Sequence, residues 1–272
     1  MTTYVRPQSM NRGAQFRAYA LHAAELTNPF LGVDHAWMSG PTFPAHPHAG
    51  FSAVSYLFLD SQTGINNKDS MGGRHLIRPG GLHWTAAGRG VVHEEHPAEN
   101  GKTVHMLQIF VNLEHQKQSD APFALHLPPE DVPVVNLSGA TVRVPLGQFG
   151  NQQSPLSPPT EVTLLDITLE ANAELEVPVA AGQTAFVLPI AGALSVNGER
   201  VESDGAPMPV MAAKALANTI TLNAQEGAVH VALFVGTPLQ QPVYWGGPMA
   251  MASSEALNNA MTAFQRGEFG KI

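Results

Sequence analysis

Apolar residues come in short blocks along this chain, and few of the blocks repeat with a helical period. Residues 51–59, FSAVSYLFL, are almost continuously apolar and rich in aromatic and branched side chains. That is the pattern of a strand buried on both faces. Residues 104–113, VHMLQIFVNL, alternate instead, so that His105, Leu107, Ile109, Val111 and Leu113 share one face of a strand. Gly72-Gly73 and Pro79-Gly80-Gly81 mark turns between these two blocks. A further strand is expected over residues 162–169. Residues 228–235 alternate again, with Val229, Val231, Leu233 and Val235 on one face. Asn197-Gly198 between ALSV and ERV is a hairpin signal, because this pair accepts the positive φ angles of a tight turn. One helix is expected, at the end of the chain. Ser253 or Ser254 can cap it, Glu255 suits its positive N-terminus, Leu257, Met261 and Phe264 form a stripe, and Gly267 can stop it.

The pattern therefore predicts an all-β protein with one short C-terminal helix. A length of 272 residues suits two domains, and the Pro- and Gly-rich stretch over residues 121–159, with PPEDVP and PLSPP, reads as the region between them. The division is placed so that residues 1–125 form an N-terminal domain and residues 126–272 a C-terminal one. At 44% hydrophobic and 13% charged the chain can fill two cores, and 25 Gly and 22 Pro favour short strands joined by turns.

Charge and cysteine content remove several classes of function. The formal net charge is -8, which leaves no basic footprint for nucleic acid or an anionic membrane. With no cysteine there are no disulfides, thiolate metal sites or thiol nucleophiles. The opening MTTYVRPQSMNRG lacks the apolar core of a secretory leader, and the best apolar stretch, residues 185–194, is short and broken by Pro189 and Gly192. The cytoplasm is the expected compartment. No phosphate-binding loop, dinucleotide fingerprint or nucleophile elbow is present to support another enzyme class.

The candidate chemistry lies in two short motifs. In His46-Pro47-His48 the residues two apart point to one side of an extended segment, and Pro47 favours that geometry. His93-Glu94-Glu95 repeats the device: His93 and Glu95 share a face and Glu94 points away. On neighbouring strands, His46, His48, His93 and Glu95 would supply three imidazoles and one carboxylate. Such a set suits iron(II), manganese, nickel, copper(II) or zinc.

The spacing around these motifs resembles a known superfamily. Gly40, five residues, then His46-x-His48 resembles the start of the first cupin motif, and Gly73, five residues, Pro79-x-Gly81 resembles the start of the second. Ser52 and Ala53 stand where the first motif usually has Glu, and Trp84 where the second has His. HPHAGF followed by RPGGLHWTAAGRGVVHEEHP closely resembles the pirin branch, and GTPLQQPVYWGGPMAM near the C-terminus is also pirin-like. The resemblance implies two cupin-type antiparallel β-barrels, with one divalent metal, iron(II) first, in the N-terminal barrel on His46, His48, His93 and Glu95. The segment PVAAGQTAFVLPIAG has no His where a cupin would carry its His-x-His, so the second barrel is expected to be metal-free. Ala49 and Ser52 replace the Arg and Glu common in pirins, which predicts a more neutral cavity mouth and a weaker preference for anionic ligands.

Some pirins resemble quercetin 2,3-dioxygenases in activity, and others act as regulatory binding proteins. The expected function is a metal-dependent dioxygenase on a small phenolic or enolic substrate, with Glu95 as the group that takes the substrate's proton. The alternatives are a metal-bearing module that docks a protein partner without turnover, and a barrel with structural zinc. Trp84 and Phe51 are candidates for the cavity wall, His83 and Arg89 for a place near it, and His35 for a structural role.

Overall fold

A computed structural model describes residues 2–272. Two seven-stranded antiparallel sheets form its centre. The first runs in the order Phe123–Leu127, Leu82–Ala86, Phe51–Leu57, Val104–Asn112, Phe30–Met38, Phe16–Leu21, Gln8–Arg12. The second runs Thr2–Val5, Met208–Met211, Thr184–Ala191, Val229–Gly236, Val162–Leu169, Ala140–Leu146, Val134–Leu137. Each is closed into a barrel by a four-stranded sheet. His46–His48, Val91–Pro97, Ile65–Asp69 and Arg74–Ile77 close the first; Glu174–Val179, Asn218–Asn223, Ala193–Val196 and Glu199–Glu202 close the second. The expected two-barrel, all-β fold is what forms.

The two large sheets face each other, which explains the apolar blocks. Val54, Tyr56 and Phe58 share one buried cluster with Leu164, Leu188 and Ala232 of the second sheet. Phe51, Ala53 and Leu57, on the other face of the same segment, belong to clusters inside the first barrel. The segment is apolar throughout because neither face meets water. The alternating block behaves likewise: Leu107, Ile109 and Val111 join the inter-barrel cluster. At the centre Phe186 and Phe234 stack at 4.5 Å, with Phe30 edge-on to both at 5.3 and 5.5 Å. Tyr56 donates to Asp166 Oδ2 at 2.5 Å across the interface, and the Asp166 carboxylate also meets His230. The Arg143 guanidinium donates to the Gly80 carbonyl at 2.9 Å.

Strand pairing divides the chain differently from the expected boundary at residue 125. Phe123–Leu127 still pairs with Leu82–Ala86 of the first sheet, and the second sheet begins at Val134–Leu137. The ends of the chain are exchanged. Thr2–Val5 pairs with Met208–Met211 and covers an edge of the second sheet. The C-terminal hairpin, Tyr244–Gly246 with Met249–Met251, and the helix after it return to the first barrel. There Met249, Leu257, Ala260 and Phe269 bury Ala49 and Val92.

The helix is Ser254–Gln265, and Ser253 caps it by accepting from the Ala256 amide. Its buried residues are Leu257 and Ala260, whereas Met261 and Phe264 of the expected stripe are exposed. One short side of a helix is all that a small hairpin and a strand edge can cover. The hairpin turn at Asn197 and Gly198 forms as expected, both with positive φ.

Because both barrels share the central aromatic layer, Phe234→Ala should destabilise the whole molecule by about 3–5 kcal/mol, the usual cost of emptying an aromatic site in a core. Urea unfolding should remain a single transition shifted to lower denaturant. Two transitions, only one of them shifted, would mean that the barrels fold independently of this layer.

Candidate metal centre

The site starts from a three-residue strand. His46–His48 pairs antiparallel with Val91–His93, His48 opposite Val91 and His46 opposite His93. In this register all three imidazoles turn into the first barrel, and their ring centres lie 4.7, 4.8 and 4.9 Å apart. One ring nitrogen from each falls within 4.8 Å of the others, the separation at which one ion can bind all three. Glu94 and His96 point outward, where Glu94 pairs with Lys68 and His96.

Hydrogen bonds prepare two of the rings. His46 Nδ1 donates to the Pro44 carbonyl at 2.9 Å and His48 Nδ1 to the Pro248 carbonyl at 3.1 Å. A carbonyl can only accept, so each Nδ1 carries the proton and each Nε2 keeps its lone pair. His93 Nδ1 is buried without a partner. Burial lowers the pKa of all three rings: His48 is brought to about 3, with His46 beside it adding to the effect, and His93 lies well below its ordinary value. Three neutral, converging imidazoles, one with an orphaned nitrogen, fit a transition-metal ion.

Glu95 lines the same inner pocket as the three histidines but stands apart from their group. Both of its oxygens accept from Ser55 Oγ, at 2.8 and 2.9 Å. Burial raises its pKa to about 7, and the Ser55 bond offsets part of that rise. Ser55 belongs to a polar layer across the barrel. It pairs in register with His83, Asn67 pairs with Glu95, and Asn67 and His83 are hydrogen-bonded at 3.2 Å.

Outside the ligands a cavity of about 820 Å³ opens to solvent past His46 and His48. Phe51, Phe110, Phe43 and Trp245 give it aromatic walls, and Arg12 stands at its edge. Phe51 is thus a wall as expected. Trp84 is not, since it lies in the inter-barrel core. His35 faces that interface too, with Nε2 2.7 Å from His105 Nε2. Arg89 lines a separate pocket beside the C-terminal helix.

Two expectations about the mouth are corrected. Ala49 is fully buried against Met249 and Leu257, on the outer side of its strand. Ser52 is fully buried and shares the face of Val54 and Tyr56, towards the second barrel. Ala49 follows inward-pointing His48 and faces outward by simple alternation, whereas Ser52 is turned away by a shift of parity at Gly50. His48 points inward and so does Phe51, an odd step made possible by the positive φ at Gly50. Only glycine fits there, because a Cβ would overlap the Ala250 carbonyl oxygen. Neither residue therefore sets the charge of the mouth. The residues that sequence reasoning missed are Ser55, Pro44, Pro248, Arg12 and Trp245. Ser55 was accessible by alternation from Phe51; the others are brought in by loops and by the chain end.

Two outcomes follow. His48→Ala should lose most of its metal while far-UV circular dichroism stays that of the parent, since two filled barrels need no ion to bury their cores; a parallel loss of β signal would make the ion structural. In metal-free protein, Glu95 has a folded pKa above its unfolded value. Its contribution is therefore fully present below about pH 4.5 and is lost as pH rises through about 7. Metal-free Glu95→Gln should thus gain stability over the metal-free parent by a few kcal/mol at pH 8 relative to pH 4. A difference in melting temperature that does not change with pH would contradict this.

Comparisons with known proteins agree with the two-barrel fold. A family model described as Pirin matches residues 6–111, and one described as Pirin C-terminal cupin domain matches residues 164–270. Mouse pirin is 31% identical over 269 residues, covering 97% of this chain and 91% of its own. A pirin-like protein of Caulobacter vibrioides is 30% identical over 275 residues, covering 97% and 96%. Among solved structures, a quercetin 2,3-dioxygenase from Acinetobacter baumannii superposes with a TM-score of 0.88 at 27% identity, over all of this chain and 98% of the other. With two family models spread over both barrels and relatives matched end to end, the chain belongs to the pirin family.

Proposed function

We propose that this protein is an iron(II)-dependent dioxygenase acting on a small phenolic or enolic substrate. The observation that carries the reading is the juxtaposition of three neutral imidazoles with a carboxylate of near-neutral pKa, at the inner end of an aromatic-walled cavity. The likeness to a quercetin 2,3-dioxygenase supports the substrate class.

His46, His48 and His93 would hold the ion, and Glu95, still accepting from Ser55, would complete the set. Iron(II), when bound, supplies the redox chemistry of dioxygen and acidifies a substrate hydroxyl beside it. The remaining work falls to the chain. Phe51 and Phe110 exclude water and hold a planar ring near His48, whose ring lies 5.0 and 6.0 Å from theirs. Glu95 takes the hydroxyl proton on a carboxylate oxygen. Without an ion, burial raises Glu95 to about 7; a cation beside it would favour the ionised form, which is the form that can accept the proton. Ser55 holds the carboxylate in place and stabilises its charge by donating to it. The hydroxyl proton is thereby stored within the barrel, away from the open cavity.

The test is oxygen consumption with quercetin after reconstitution with iron(II). Glu95→Gln should retain much of the iron and lose about 10²–10⁴-fold in turnover, the range typical of losing a general base. His93→Ala should lose iron and turnover together, because it removes a ligand. A parent protein that consumes no oxygen with quercetin or related enediols ends the dioxygenase reading. A Glu95→Gln variant as fast as the parent would leave Glu95 without a role in proton transfer. Elemental analysis showing tightly held zinc would favour a structural ion.

A further inference from the structure

The cavity carries a feature that proton transfer at the metal does not use. Arg12, on the edge strand Gln8–Arg12, holds its guanidinium 4.5 Å from the centre of the Phe43 ring. Phe43 in turn lies 6.5 Å from the His46 ring. Arg12 therefore sits at the outer end of the same cavity whose inner end holds the histidines. It is exposed, and among the described residues it forms no salt bridge, not even with Glu25, the acidic residue that also lines the cavity. A guanidinium stacked on one ring keeps its in-plane N–H groups free for an anion. Trp245 stands at the mouth, 49% exposed, with its ring 6.2 Å from Phe51. A half-exposed indole beside a buried phenyl ring is a ready stacking surface for a flat ligand.

We infer that the cavity selects a planar aromatic ligand bearing a phenolic hydroxyl at one end and an anionic group at the other, with Arg12 as the residue that reads the anion and Trp245 as the platform for the ring. The two steps from Arg12 to Phe43 and from Phe43 to His46 set the span, which suits a molecule of two or three fused or linked rings. Position 49 faces away from the mouth, so the cation there is Arg12, from the edge strand, and it gives the outer end of the cavity a preference for anions. This inference rests on the proposed phenolic substrate class for its inner end, while its outer end rests on Arg12 alone.

The test uses two probes that differ only at the distal end, 2-naphthol and 6-hydroxy-2-naphthoate, titrated calorimetrically into the metal-loaded full chain. The carboxylated probe should bind about five- to tenfold tighter, the value of one charge-assisted contact at a partly screened site. Added salt should erode that preference. Arg12→Gln should abolish it while leaving the affinity for 2-naphthol unchanged. Trp245→Ala should weaken both probes by a similar factor. Equal affinities in the parent, a preference that survives in Arg12→Gln, or no binding of either probe would overturn the inference. Oxygen uptake with quercetin separates it from the dioxygenase reading. Arg12-dependent binding without turnover leaves the inference standing and the reaction wrong, whereas turnover without the carboxylate preference does the reverse.

Discussion

The metal centre depends on the register of a very short strand pair. His46–His48 meets Val91–Pro97 through three residue pairs, and a slip by one residue would turn His46 and His48 outward and bring Pro47 in. Three pairs do not hold a register alone. The Pro248 carbonyl fixes His48, the Ala250 amide donates to the Ala49 carbonyl, and Ala250 lies directly over Gly50. Gln118 adds a further link, donating to the Gly50 carbonyl and accepting from the Ala252 amide. The ligand strand is thus held between a neighbouring strand of its own barrel and a hairpin from the far end of the chain.

This arrangement buries three imidazoles and one carboxylate in the first barrel, beside the polar layer of Ser55, Asn67 and His83. Burial acts on the two kinds of group in opposite senses. It keeps the imidazoles neutral, with their lone pairs free, and it favours the protonated form of Glu95. A cation placed among them reverses the second preference without disturbing the first. The same desolvation that makes a buried carboxylate costly on its own would strengthen its attraction to any cation placed beside it. Ser55 moderates the cost in the meantime by donating to the carboxylate.

The parts of the site legible in the sequence are those where periodicity converts directly into geometry. His-x-His and His-x-Glu on extended segments leave little choice of direction, and the structure turns His46, His48, His93 and Glu95 to one interior. The apolar run over residues 51–59 announced a strand with no wet face. Alternation failed at Gly50, where a single positive φ shifts the parity and turns Ser52 outward; Ala49 obeyed alternation from His48, and its adjacency to the motif was the wrong guide to its face. Pro248 and Arg12 were beyond reach for another reason. One lies 200 residues from the histidine it orients, and the other is an exposed residue on an edge strand. Nothing local marks a backbone carbonyl or a solvent-facing Arg as part of a site.

The second barrel, whose core has none of these ligands, still bears on the chemistry. Its large sheet buries the outer face of Phe51–Leu57, the strand that presents Phe51 and Ser55 inward. Its last strand, Val229–Gly236, leads the chain out towards Trp245 and Pro248. A first barrel without its partner would expose Val54, Tyr56 and Phe58 to water, and it would lose the hairpin that sets the His48 tautomer. The two-barrel architecture is therefore a condition of the histidine cluster in the first barrel. The second barrel stiffens the sheet behind the cavity and delivers the segment that closes its mouth.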